Sequence, residues 1–494
     1  MSRNRVYLIT AGIMLSLFLA SMESTVVATA MPTILGQLGG LEHYSWVFSA
    51  YMLASTTVVP LYGKLSDLYG RRRLYALAML IFLTGSVLSG LANSMSQLIA
   101  ARTLQGLGAG GIMPLAFILI GEIFSLSERA RMQGFFSGVW GVSSIIGPLL
   151  GGFLVDQLSW RWVFFINLLP GVLAAALVLI VWRDQPHVHG TPKVDYAGAF
   201  LLSASVVALL LGLVELGTLN SWLLIGGAAL LFAALLWVEI HAPDPILPVH
   251  LFRDRLFSTA VTHGVLTGWA MFGSISFFPL FVQTVLRTSA TQAGITITPM
   301  LLGWVTASTI GMRLLIKVGY RVLGLFGTAI LTVGAFLLTL IGAHPSQSLM
   351  MIFVALMGIG MGLSIPSFLV AIQATVERRY LGTATSMLQF SRSMGGTVGV
   401  SVMGAVLSLR LISNLKAAGL DTSIVTRLLD PVTGGGDVGS AGVAQAMANS
   451  MHSLFIIAFA AAFLGLLAAF LAPHRDLSET AQAAEADTKM ASAD

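Results

Sequence analysis

The sequence predicts an all-α polytopic membrane protein built as two six-helix bundles with two additional transmembrane helices, fourteen spans in all, both termini cytoplasmic. Three observations carry this expectation. Hydrophobic residues make up 56% of 494 positions and charged residues only 10%, with a mean hydropathy of +0.87, a composition that a soluble domain could not carry without aggregating. Windows of about 20 mostly apolar residues, the length that crosses a hydrocarbon core, recur fourteen times along the chain. With the N-terminus inside, nineteen of the 26 Lys and Arg residues fall in cytoplasmic segments, as the positive-inside bias requires.

In order, the first span (8–30) follows the basic start Arg3 and Arg5, and the second (45–64) runs into GKLSDLYGRRR. Spans 74–93 and 97–121 follow, the latter holding Arg102 in LIAARTLQGLGAGGIMPLAFILIG. Arg129 and Arg131 precede 133–155, and Arg161 opens 161–182. The polar segments RDQPHVHGTPKVD and EIHAPDPILPVHLFRDR flank a middle pair, 195–214 and 222–240. The last six spans are 258–285, 294–316, 321–342, 348–372, 383–409 and 450–472, with Arg313, Lys317, Arg321, Arg378 and Arg379 on the inner side. The expected organisation is therefore an N-terminal bundle (1–183), a central linker carrying the extra pair (184–256), a C-terminal bundle (257–473) and a disordered cytoplasmic tail (474–494). The outer connection from Leu411 to Asn449 contains DPVTGGGDVG and reads as a surface linker with a turn. A weak internal repeat supports two related halves: GKLSDLYGRRR has a degraded basic counterpart in MRLLIKVGYRVLG, and GVWGVSSIIGPLLGG has a Gly-rich one in SRSMGGTVGVSVMG.

Several function classes fall away. The chain has no cysteine, which excludes disulfides, thiolate chemistry and cysteine metal sites. It has no P-loop to bind ATP, no HExxH and no Ser-His-Asp arrangement, so neither an enzyme nor a cofactor is expected. His187 and His189, without acidic partners, read as a plain loop and no metal site is expected. The basic pI of about 9.6 follows from membrane topology and implies no nucleic-acid partner. The apolar run in residues 1–30 is too long for a cleaved signal peptide and carries Glu23, so the first helix is expected to be retained.

Glu23 is the only carboxylate read as deep within a span. At ~1.5 Å per residue it lies roughly 8 Å from the outer surface, and Arg102, counted from Gln97, reaches the same depth. Intramembrane charge is costly and marks function. The two residues are therefore expected to pair across the first and fourth helices, and their separation and rejoining to load and release a proton; a static buried salt bridge is the competing reading. In the second loop, Gly63 and Gly70 permit a tight turn, and Asp67 can bond Arg71 or Arg72 or a neighbouring helix N-terminus, a conformational latch. The arginines also serve as a topology-setting cluster. Glu122 lies near the same depth and can join this network or stay solvated. Gly147, Pro148, Gly151 and Gly152 let the fifth helix bend and approach a neighbour closely, as ordinary small-residue packing also would. Gln105, Asn167, His263, Trp269, Phe272, Gln283, Gln373 and Arg392 supply the aromatic walls and polar groups of a candidate substrate pocket, although membrane phenylalanines commonly face lipid and Arg392 can snorkel to the interface.

These motifs carry a resemblance. GKLSDLYGRRR resembles the loop signature of the major facilitator superfamily at Gly63, Leu65, Asp67, Gly70, Arg71 and Arg72, departing at Ser66 and Leu68. LIAARTLQGLGAG resembles the family's fourth-span motif at Leu98, Arg102, Gln105, Gly106, Gly108 and Ala109. GPLLGG resembles its antiporter motif, with Ser143 where a glycine is often found. MESTVVATAMPTI resembles the first-span signature of the fourteen-span drug:proton antiporter branch, with Glu23 in place of the usual aspartate. The resemblance implies the major facilitator fold in a bacterial-type inner membrane. It further implies alternating-access, proton-coupled efflux of lipophilic or amphipathic compounds, and an antiporter motif acting as a seal. An exporter of one lipid or metabolite on the same scaffold is the alternative; a non-transporting sensor would require loss of the coupling acid or an added signalling domain, and neither is seen. The expected partners are small amphipathic molecules, protons and the lipid bilayer; no segment identifies an envelope adaptor.

Overall fold

The computed structural model describes residues 3–39, 43, 44, 46–182, 195–214, 218–242, 245–286, 288, 290–341, 346–420 and 441–475, and every regular element among them is a helix. In chain order these are α1 (Arg3–Leu38), α2 (Trp46–Tyr69), α3 (Arg71–Leu91), α4 (Met95–Ile123), α5 (Leu126–Gln157), the short α6 (Trp162–Phe165), α7 (Leu168–Val181), α8 (Tyr196–Val214) and α9 (Leu219–His241). They continue with α10 (Arg255–Val285), α11 (Ala290–Val318), α12 (Tyr320–Thr339), α13 (Gln347–Thr375), α14 (Leu381–Ala417) and α15 (Ala441–Phe470). His187, His189, the DPVTGGGDVG turn and residues 476–494 lie outside the described residues.

Twelve helical segments among the described residues are long and apolar enough to cross a membrane. Of the long helices outside that set, α2 carries Ser49, Ser55, Thr56 and Thr57 among its apolar residues. The exterior of the spanning helices is itself apolar. Leu169 is 81% exposed, Ile180 78%, Leu219 77% and Leu230 74%, a surface stable only against lipid.

The chain forms two compact units, one comprising Met1–Leu209, Gly227–Phe252 and Ile372–Phe390, the other Leu210–Gly226, Arg253–Ala371 and Ser391–Asp494. The end of α13 and the first turns of α14 thus belong to the first unit. In that unit α4 packs on α2 and α3, and α1 on α5, α7 and α4; in the second, α10 and α12 pack on α15.

Local chemistry starts and stops the helices. Ser94 caps α4 by accepting from the Gln97 amide at 3.3 Å, and Asp254 caps α10 by accepting from the Leu256 amide at 2.7 Å. Ser125 and Glu128 form a capping box at the start of α5. One glycine alone separates α2 from α3: Gly70, with φ +93°, a value that a side chain would strain. Gly319, with φ +83°, does the same between α11 and α12.

That recurrence extends into packing. A Cβ on Gly106 or Gly110 of α4 would collide with the backbone of α2 (Tyr51, Ser55), and one on Gly108 with the backbone of α3 at Phe82. At the same spacing in α13, Gly358 and Gly362 abut the backbone of α11 (Met300, Trp304), and Gly360 that of α12 at Leu331. Pro114 and Pro366 follow each set at equal distance. Between apolar helices in lipid, close approach through small residues is the main source of attraction.

Gly108→Val should therefore overpack the α3–α4 seam and cost ~1–3 kcal/mol, read as a lowered thermal midpoint of the detergent-solubilised protein. Gly152→Ala, where a Cβ meets nothing within 4 Å, should leave the midpoint unchanged.

Candidate functional site

Polar side chains inside a spanning bundle must find partners in protein, and the largest such gathering surrounds α1 and α4. Glu23 is 1% exposed and Arg102 wholly buried. Arg102 Nη1 donates to Glu23 Oε1 at 2.5 Å and to Gln105 Oε1 at 2.7 Å, and its Nε donates to the Val47 carbonyl oxygen at 3.4 Å. The guanidinium carbon lies 4.1 Å from the centre of the Tyr51 ring, a cation–π contact that strengthens where water is excluded. The other carboxylate oxygen, Glu23 Oε2, accepts from Asn167 Nδ2 at 2.7 Å. Ser86 joins the remaining ends, accepting from Asn167 Nδ2 at 3.0 Å and Gln105 Nε2 at 3.3 Å and donating to the Phe164 carbonyl oxygen at 2.8 Å. Arg102 Nη2 and Asn167 Oδ1 are buried without a partner, so the network keeps unused hydrogen-bonding capacity.

Local sequence explains the placement. Glu23 and Thr25 lie on α1, where α5 approaches closely: a Cβ on Gly147 would meet Thr25 Oγ1, and one on Gly151 would meet Thr29 Oγ1 and, at 3.0 Å, the Val26 carbonyl oxygen. The first-span and antiporter-type motifs are thus two sides of one seam. Pro148 falls within α5, and Gly152 faces open space.

A second gathering surrounds the α2–α3 turn. Asp67 Oδ1 accepts from Arg71 Nη2 at 2.9 Å and from the Gly382 amide at 3.0 Å; Oδ2 accepts from the Thr383 amide at 2.8 Å and hydroxyl at 2.9 Å. Asp67 therefore caps the N-terminus of α14, where backbone N–H groups and the helix dipole favour an anion. Beyond the apolar span 45–64, burial pushes the Asp67 carboxyl up to about 6, while Arg71 and the Thr383 and Gly382 donors pull it down. Arg71 also faces Glu122, Nε to Oε2 at 3.2 Å, and so bridges two acids. Gly63 lets α14 come this close, since a Cβ there would run into Ser386 and lie 2.7 Å from the Gly382 carbonyl oxygen. Arg72 is exposed.

The other residues singled out from sequence are dispersed. Gln105 and Asn167 lie in the charge network. Gln373 donates to the Phe117 carbonyl oxygen at 3.1 Å, and its own carbonyl accepts from Arg129 at 2.9 Å. In the second unit His263 bonds Thr328 Oγ1 at 2.9 Å and lies tilted against the Phe368 ring. Gln283 is half-buried on α10. Trp269, Phe272 and Arg392 meet where α10 crosses α14, the rings against Gly399 and Gly396 and the Arg392 carbonyl against Gly268; Trp269 Nε1 and Arg392 Nε are buried and unpartnered. Sequence reasoning passed over Ser86, Tyr51, Thr383 and Glu239. A serine among apolar residues of a span is a visible signal, and so is a glutamate inside the last turn of α9; nothing local marks Tyr51 or Thr383.

The sequence matches the Major Facilitator Superfamily over residues 13–400, and the chain belongs to that family. It is 40% identical over 414 residues to the multidrug transporter protein MdtP of Bacillus subtilis (82% of this chain, 76% of the relative). It is 37% identical over 405 residues to multidrug resistance protein 3 of the same organism (81% and 79%). The efflux pump FUS6 of Gibberella fujikuroi is 32% identical over 449 residues (86% and 79%). Among solved structures, the human organic anion transporter MFSD10 aligns with a TM-score of 0.62 at 15% identity, covering 94% of this chain and 100% of that one. The proton:xylose symporter XylE aligns at 0.62 and 13%, covering 94% and 95%; at such identities the likeness is one of fold. The protein is a multi-pass membrane transporter of this superfamily with multidrug efflux relatives.

Two outcomes follow from the geometry. Arg102→Met strands a buried carboxylate and should cost ~3–5 kcal/mol, whereas Glu23→Gln combined with Arg102→Met should recover most of that loss, read by thermal unfolding of the purified protein. Asp67→Ala should speed hydrogen exchange at the Gly382 and Thr383 amides about 10-fold or more, the scale of a lost charge-assisted bond, measured by mass spectrometry.

Proposed function

We propose that this transporter exports lipophilic or amphipathic compounds in exchange for protons, with Glu23 as the proton carrier and Arg102 as its switchable counter-charge. The observation that carries the reading is the buried Glu23–Arg102 pair with its incompletely satisfied surroundings, set in a chain whose relatives include multidrug transporters at 40% and 37% identity. A fully buried ion pair is weakly stabilising at best, because desolvation offsets the Coulomb attraction. The state of such a pair is therefore set by what else can hold its charges: protonation of Glu23 leaves Arg102 to Gln105, Val47 and Tyr51, and substrate binding or release biases the same choice.

In this reading α2 and α5 also span the bilayer, giving fourteen spans, with both termini on the cytoplasmic side of the inner membrane and the α8–α9 pair inserted at 184–256 between bundles 1–183 and 257–473. Asp67, Arg71 and Glu122 act as the latch, since release of the α14 N-terminus frees the α2–α3 turn. The Gly147–Gly151 seam keeps α5 tight on the helix that carries the proton. Trp269, Phe272 and Arg392, with two unused donors, supply an aromatic wall and hydrogen bonds for ligand.

The test is accumulation of a fluorescent lipophilic cation in everted vesicles under an imposed pH gradient. Wild type should accumulate it until an uncoupler is added, Glu23→Gln should lose gradient-driven uptake, and Glu23→Asp should keep it. Retained uptake in Glu23→Gln would remove this residue from coupling, and absence of any gradient-driven uptake in wild type would favour a specific lipid or metabolite as cargo.

A further inference from the structure

The latch helix α2 carries a second buried charge, Lys64, 5% exposed and adjacent to Gly63. Its positive charge is among those in the electrostatic surroundings of Glu239 of α9, which is 2% exposed. Glu239 Oε2 accepts from the Leu247 amide at 2.9 Å. Its other oxygen, Oε1, is buried without a partner, and so is Asp195 Oδ2 at the start of α8, whose Oδ1 accepts from the Gly198 amide at 2.8 Å. The two orphaned oxygens converge on the space left by the missing side chain of Gly198. A Cβ there would lie 2.7 Å from Glu239 Oε1 and closer still to Asp195 Oδ2. The groups acting on Glu239 are thus Asp195 from α8, Lys64 from α2 and the Leu247 and Ile246 amides that follow α9.

Among the described residues, two ionised carboxyls against one ammonium leave a net negative charge beside two buried oxygens that have no hydrogen-bond partner, which is costly. A single proton removes the excess charge and turns one oxygen into a donor to the other, which satisfies both. A metal cation would compete with the Lys64 ammonium for the same oxygens.

We propose that Asp195 and Glu239, faced by Lys64, form a proton-binding carboxyl pair, separate from Glu23, that fastens α8 and α9 to the latch-bearing helix α2. The proton comes from the aqueous phase as the pair closes and returns there when the carboxyls part. Because Lys64 adjoins Gly63 and precedes Asp67 by one helical turn, the state of this pair bears on the α2 segment that caps α14.

Infrared difference spectroscopy of the full-length protein in liposomes, recorded between acidic and alkaline pH, tests this directly. Wild type and Glu23→Gln should both show a titrating carbonyl-stretch band of a protonated carboxyl that Glu239→Gln and Asp195→Asn each abolish. Lys64→Met, which leaves the pair intact, should move the midpoint of that band upward by roughly one to three pH units. A carboxyl band unchanged in both Glu239→Gln and Asp195→Asn overturns the proposal, and so does a signal that follows sodium concentration at fixed pH. Loss of the band in Glu23→Gln alone would assign the proton to the coupling site and leave none here.

Discussion

The Glu23–Arg102 contact is the constraint on which the first unit is organised. A carboxylate and a guanidinium with no water to solvate them must be given every partner within reach, and those partners come from far apart in the sequence: Val47 and Tyr51 on α2, Ser86 on α3, Gln105 on α4, Asn167 just before α7. Each side chain has to arrive at one point, which fixes the rotation of its helix about its own axis. The small residues of α4 and α5 follow from the same need, since helices can bring short polar side chains together only where backbones nearly touch. Removing the charges would leave the bundle apolar and packed, but without a reason for these particular rotations.

The two repeated sets of helices show what the constraint adds. The glycine spacing of α4 recurs in α13 with the same neighbours, and Pro114 is matched by Pro366, so the backbone geometry of the two is shared. Where α4 carries Arg102, however, the matching position of α13 is Val354, buried in the apolar core of the second unit. That unit instead holds neutral polar contacts, His263 with Thr328 and Thr332 with the Ala462 carbonyl. One fold thus supports an ion pair at this position and an apolar residue at its counterpart, and the packing surface is the element common to both.

Asp67 does the opposite kind of work. It serves the end of a helix, where backbone donors are unsatisfied by construction, and satisfies them with a charge that Arg71, shared with Glu122, balances in part. Under the proposed function, such a contact is specific while closed and replaceable by water when open, as a latch requires. Its position one turn beyond Lys64 sets it near the proposed carboxyl pair of α8 and α9, so the short stretch from Gly63 to Arg71 serves α14 and α4 by direct contacts and the α8–α9 pair by that proposal.

Much of this was legible in the sequence by itself. Hydropathy and the glycine turn at Gly70 are properties of short stretches of chain, and they placed most of the helices and the α2–α3 turn. An acid and a base, each alone in an apolar span, made the Glu23–Arg102 contact readable from the sequence. What only the tertiary structure decided was partnership: that Asn167 and Ser86 complete the carboxylate's shell, that Tyr51 lies under the guanidinium, that Asp67 caps residues 382–383, and that Glu239, read as part of a polar flank, is buried against Asp195. Hydrophobicity sums locally along a helix, whereas the partner of a polar side chain depends on helix rotation and crossing, which no stretch of one helix encodes without the surfaces it packs against.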